Sequence, residues 1–241
     1  MTAFYLGSSE SPLFGYLHRP SGPARGAVVL CSALSTEAHF SHQSLVWLGE
    51  RLAQERFTSL RFDYRGTGDS WGALADVSMR MWTEDVKSAI AFLKSDVGDK
   101  PLHGFGIRTG ANLLRRCAAQ CDTLDRVIYL DPVESGARWL SEHSRDPDEV
   151  PDGLRDFAGW HELSSNLYQE LKALTWPLPE SPTDKTALFV STGPACSKGS
   201  SPWGEQYIHR PGPRAHLENG STGVAPVPVR MLRELVSWIA S

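Results

Sequence analysis

The sequence predicts an α/β fold: a mostly parallel central sheet with helices on both faces and a small lid insertion over one end. Three observations predict it. Short continuous apolar runs, such as GAVVLC at 26–31 and RVIYL at 126–130, read as strands buried on both faces, as in parallel sheets. Segments with helical spacing alternate with these runs, the order that successive βαβ units require. Residues 141–182 then interrupt the alternation with a stretch rich in Asp, Glu, Pro and Ser.

Each element follows from local pattern. Residues 13–18 read as an early strand and 26–31 as a buried one. Leu45, Leu48, Leu52 and Ala53 share one helical face, which predicts a helix over 44–56, and 57–62 is the next strand. A second amphipathic helix is expected over 82–93, with Thr83 as its cap. A strand at 101–107 runs almost without a loop into a helix at 109–119, and 126–130 is a further strand. Inside the insertion, 164–174 has helical spacing; 186–191 and 206–209 are the last strands, and 229–239 is the closing helix. The expected organisation is one core, residues 1–140 and 183–241, with 141–182 as a lid.

Composition narrows the function classes. With 41% hydrophobic and 22% charged residues, the chain can bury a sizeable core. A formal charge of −4 gives no electrostatic reason to expect nucleic acid or an anionic membrane as partner. No apolar segment approaches the roughly 18 residues of a membrane span, and no basic stretch precedes an apolar run at the N-terminus. Four scattered cysteines suit free thiols in a reducing cytoplasm, which is the expected location. Cys117 and Cys121 lack a second ligand pair, and His39 and His42 lack an accompanying H-E-x-x-H, so neither pair predicts a metal site. No cofactor is expected.

Three segments carry a resemblance. FDYRGTGDSWG (62–72) resembles the D-x-R-G-x-G-x-S turn after an early strand in many α/β-hydrolases, GFGIRTG (104–110) lies where they place the nucleophile elbow, and RPGPRAH (210–216) resembles the loop that delivers their catalytic histidine. LDPVESGARWL (130–140) and FAGWHELSSNL (157–167) are similar to segments of the hydrolase-like proteins of exosortase and exopolysaccharide loci. Those proteins resemble the serine aminopeptidase branch of the fold, and some carry a G-x-R-x-G elbow. The resemblance spans most of residues 10–240. It implies an α/β-hydrolase fold and a place in a biosynthetic pathway.

At the apex of that elbow the sequence has Arg108, flanked by the small residues Gly106 and Gly110 that the turn needs. A guanidinium offers no lone pair, stays protonated, and forms no acyl intermediate, so ordinary serine-hydrolase chemistry is excluded. What it does well is bind carboxylate or phosphate. Arg108 therefore anchors an anionic or acyl ligand, or it pairs with an internal acid and plugs the pocket; the resemblance puts an acid in the loop after the strand at 26–31, where Glu37 stands.

The other triad positions divide. A triad acid is expected after the strand at 186–191, yet the sequence reads Gly193-Pro194-Ala195-Cys196, with Glu205 and Glu218 as nearby substitutes. Cys196 reads as an ordinary loop cysteine. His216 survives, as an acid or base for an unconventional hydrolase, acyltransferase or lyase, or as a remnant. The hydroxyl of Thr109, next to the apex, should point away from the pocket. Ser32, Glu37, His39, Asp131, Glu134 and Ser135 all fall at the carboxyl ends of predicted strands, where open α/β sheets bind ligands; Ser32, Glu37, His39, Asp131 and Ser135 are the candidate ligand contacts beside Arg108. A homodimer or a pathway protein is the further partner expected.

Overall fold

β3 (Gly26–Cys31) runs through the interior with all six residues buried. It pairs in parallel with β4 (Phe57–Phe62) on one side and β5 (Leu102–Ile107) on the other. Beyond β5, the strands β6 (Arg126–Leu130), β7 (Thr186–Ser191) and β8 (Gln206–His209) continue in parallel register. On the opposite side β4 pairs antiparallel with β2 (Ser11–His18), and β2 with β1 (Thr2–Ser8). The strand order is β1-β2-β4-β3-β5-β6-β7-β8. This computed structural model describes residues 1–143, 163–176, 186–191, 206–209 and 227–241.

Alternation along β3 divides the core between the two faces of the sheet. Val29 and Cys31 pack with Val86, Ala89 and Leu93 of α2 (Met79–Val97) and with Leu113 and Leu114 of α3 (Thr109–Ala118). Val28 and Leu30 pack instead with Leu45, Leu48 and Leu52 of α1 (Ser35–Gln54) and with Leu232, Leu235 and Ile239 of α6 (Val229–Ala240). Continuous apolar strands are thus buried on both faces, as their sequences require.

Four elements depart from the sequence expectation, one of them a helix over Gly136–His143 where none is expected. β1 has only one buried residue, Leu6, and gives no alternating apolar signal. α1 begins at Ser35 rather than at residue 44, because its first turns bury Ser35, Glu37, Ser41 and Ser44, which apolar periodicity does not register. α2 begins at Met79, capped by Ser78, whose Oγ accepts the Met81 N–H at 3.2 Å. Thr83 lies inside that helix and donates to the Met79 carbonyl at 2.8 Å.

Two short helices, α4 (Gly136–His143) and α5 (Ser165–Lys172), pack together after β6. Gly136 makes this possible, since a Cβ there would strike the Leu171 carbonyl oxygen. The contact is closed by Gly136 N–H donating to Leu174 O at 2.7 Å and Trp176 N–H to Glu134 O at 3.2 Å. Ser164 caps α5 by accepting the Leu167 N–H at 3.1 Å.

Candidate functional site

The turn from β5 into α3 is forced by close packing. Gly106 is required because a Cβ would sit 2.6 Å from Ala111 Cα. At Gly110 a Cβ would strike the Cys31 and Ser32 carbonyl oxygens, so α3 reaches the end of β3 only without a side chain there. Between them Arg108 takes φ 55° and ψ −125°. An arginine in this region carries strain of order 1–3 kcal/mol, held by its surroundings. Its N–H donates to Leu130 O at 2.9 Å, and its carbonyl accepts the Ala111 N–H at 2.9 Å.

The neighbouring D-x-R-G-x-G-x-S segment is structural. Arg65 grips the buried Asp85 through Nε at 2.7 Å, and its backbone N–H donates to the same carboxylate at 2.9 Å. Ser70 Oγ donates to Asp63 O at 2.6 Å and accepts the Phe14 N–H at 2.8 Å. Asp63 Oδ2 accepts the Asp69 N–H at 3.1 Å, an approach that Gly68 permits. These bonds lock the chain where it leaves β4.

The side chain of Arg108 meets an internal acid. Its Nε donates to Glu37 Oε1 at 2.8 Å, and its Nη1 to the backbone carbonyl of Asp131 at 2.9 Å. The Glu37 side chain is 2% exposed and that of Arg108 16%. Glu37 sits in the first turn of α1, where unpaired backbone N–H groups favour a carboxylate. Its Oε2 has no hydrogen-bond partner among the described residues. Asp131 contributes its backbone, held at φ 43°.

Sequence reasoning missed His143. Its Nε2 lies 3.5 Å from Glu37 Oε1, while Nδ1 sits 2.7 Å from Trp139 O. The first contact is too long for a good hydrogen bond. Nothing in the sequence links a histidine at the end of α4 to a glutamate at the start of α1; only the packing of α4 brings them together.

The remaining candidates scatter. Thr109 Oγ1 is buried and accepts the Leu34 N–H at 2.9 Å, which ties the loop after β3 to the elbow. Ser32 uses its carbonyl to accept from Tyr64 Oη at 3.2 Å. Ser32 and His39 line a cleft of about 390 Å³ on the β2–β4 side, with Ser35, His42, Arg61 and Asp63. Neither Arg108 nor Glu37 lines it. Ser135 is exposed and accepts the Arg138 N–H at 3.4 Å at the start of α4, and Glu134 is exposed beside it. His216, Cys196, Glu205 and Glu218 lie outside the described residues. Among the described residues no cluster of His, Cys, Asp and Glu could hold a metal ion, and no helix is long and apolar enough to cross a membrane.

No protein-family model matches the chain, and no curated protein sequence matches it. Solved structures do. Est1E from Butyrivibrio proteoclasticus, solved with ferulic acid bound, superposes with a TM-score of 0.70 at 17% identity, over 98% of this chain and 97% of its own. Alpha/beta hydrolase domain-containing protein 10 from mouse gives 0.62 at 16% identity, covering 99% and 97%. A serine hydrolase without a lid from Xanthomonas campestris gives 0.56 at 15% identity, covering 98% and 90%. Taken with the strand order and the tight β5–α3 turn, these likenesses show that the chain has the α/β-hydrolase fold.

Proposed function

We propose that this chain is a non-hydrolytic α/β-hydrolase-fold protein whose elbow is plugged, with Arg108 at the nucleophile position held by the protein's own Glu37. The observation that carries the proposal is the ion pair between Arg108 Nε and Glu37 Oε1 at 2.8 Å. In an active elbow the apex presents a nucleophile beside backbone N–H donors. Here the apex presents a cation whose charge is met by the protein's own carboxylate, and no lone pair is available for acyl transfer. The adjacent hydroxyl, Thr109 Oγ1, is committed to Leu34. His216 would be what survives of a triad whose acid position reads Gly193-Pro194-Ala195-Cys196.

A second reading has its own support. Arg108 Nη2 has no hydrogen-bond partner among the described residues, and 16% of the side chain is exposed. A carboxylate or phosphate of a small ligand would meet that corner of the guanidinium, with Glu37 orienting the fork. Est1E, with ferulic acid bound, is a protein of this fold that holds a carboxylic acid. Residues 141–182 would cover such a ligand as a lid. The resemblance of 130–140 and 157–167 to proteins of exopolysaccharide loci supports a place in a biosynthetic pathway, and the scattered cysteines support a cytoplasmic one; a homodimer or a pathway protein is the further partner proposed.

Both readings are tested with a fluorophosphonate probe and short-chain nitrophenyl esters. The expected result is neither labelling nor turnover above background. Labelling of any residue in the β5–α3 region would remove the proposal.

A further inference from the structure

Arg61, near the end of β4, is 7% exposed. Arginine is rarely buried to this degree unless its charge is paired. Arg65 has Asp85 and Arg108 has Glu37. Arg61 has no carboxylate within ion-pair distance among the described residues. Its Nε lies 3.3 Å from His18 Nε2, its Nη2 lies 3.6 Å from Met1 Sδ, and its guanidinium stacks 5.1 Å over the Tyr16 ring. Burial works against its charge more strongly than Tyr16, Asp63 and Glu50 support it. The His18 ring does not repeat the charge, because burial pushes its pKa down to about 4.

This under-neutralised cation lines the cleft of about 390 Å³ between α1 and the ends of β2 and β4. His39 and His42 of α1 and the ring of Tyr16 line the same cleft. Ser35, also in its wall, is 6% exposed, and its Oγ lacks a hydrogen-bond partner among the described residues. Asp63 and Asp69 stand at the side nearest the β4–α2 connection. Glu37 and Arg108 are not in this lining, although Leu34, whose amide is bonded to Thr109 of the elbow, is.

We propose that this cleft binds a small organic anion, a carboxylate or a phosphate ester carrying hydroxyl or amino groups, with Arg61 as its anchor. Arg61 Nη1 has no partner among the described residues and supplies the charge-assisted hydrogen bond that a bound oxyanion would complete. The two aspartates disfavour a second anionic group on the ligand and accept from its hydroxyl or amine. The inference goes beyond the elbow reading and does not depend on it.

The test is titration calorimetry of the whole chain with 3-hydroxybutyrate and with glycerol 3-phosphate, which separates the two head groups. At least one binds the wild-type protein. Arg61→Gln weakens that binding by about tenfold or more, as losing a charged hydrogen bond should, while Arg138→Gln, exposed on α4 and outside the cleft, leaves it within about twofold. If Arg61→Gln does not fold, the exposed His39→Gln and His42→Gln variants are compared instead, and each should weaken binding several-fold. Absence of binding by both probes overturns the proposal. So does binding that survives the cleft variants, and binding lost in Arg108→Gln alone places the anion at the elbow instead.

Discussion

Thr109 Oγ1 accepts the backbone N–H of Leu34 at 2.9 Å, with both residues buried. Through this bond the loop after β3 is fastened to the first residue of α3, and Glu37, three residues beyond Leu34, lies within reach of Arg108. Replacing Thr109 by Val keeps the shape and removes the acceptor. The Leu34 amide is then buried without a partner, which costs about 1–3 kcal/mol. Chemical denaturation of Thr109→Val against wild type should show a loss in that range with an unchanged denaturant slope. A loss below about 0.5 kcal/mol would mean that the loop is held elsewhere.

Gly110 should tolerate no side chain. Its Cβ would strike two backbone carbonyl oxygens, of Cys31 and Ser32, and neither can swing aside as a flexible side chain would. Gly110→Ala should therefore lower the thermal midpoint by about 6–12 degrees, which follows from about 3 kcal/mol of overpacking in a chain of this size. Gly98→Ala is a useful comparison: nothing lies within 4 Å of a Cβ there, although its φ of 67° still carries strain. It should cost about 1 kcal/mol.

The pH dependence of stability should be set partly by two buried histidines. Burial pushes the pKa of His18 and of His103 from the ordinary 6.5 down to about 4. Both are bases whose folded value is depressed, so the unfolded chain binds more protons between those two values. Stability should be full above pH 6.5 and should fall as the pH is lowered towards 4. His103→Leu removes one of the two groups and should flatten that decline by roughly half. Denaturation midpoints at pH 7, 5.5 and 4.5 check this, and an identical slope in wild type and variant would contradict it.

How much of this was legible in the sequence differs by element. β3 and β6 announce themselves, because strands covered on both faces are largely apolar runs. The elbow is legible for a related reason: Gly106 and Gly110 are demanded by backbone contacts that any chain making this turn must satisfy. The first turns of α1 are not, since their buried face consists of Ser35, Glu37, Ser41 and Ser44. A hydrophobic pattern cannot report a helix face whose burial is polar. Glu37 itself was visible as a partner for Arg108, but through resemblance and not through spacing. His143 and Arg61 draw no attention in the sequence, because what faces them is set by packing across the fold.

Arg108 and Glu37 together carry the account of the elbow. Restoring a serine there should not restore an enzyme. Arg108→Ser leaves the Glu37 carboxylate buried without its cation, at a cost of about 3 kcal/mol in stability. It should show no ester hydrolysis above background, because the acid position of the triad remains empty of a carboxylate in the sequence. Turnover by this variant would show that the other catalytic groups are intact and that the arginine alone silences the site.

The most direct measurement is a double-mutant cycle on the pair itself. Arg108→Met, Glu37→Gln and the double variant are unfolded by denaturant beside wild type, and the coupling energy is read from the four stabilities. The account predicts a favourable coupling of about 2–3 kcal/mol, with the double variant more stable than Arg108→Met alone, since removing the carboxylate relieves an uncompensated buried charge. Additive effects, with coupling below about 0.5 kcal/mol, would contradict it and leave the Arg108 cation free for an external anion.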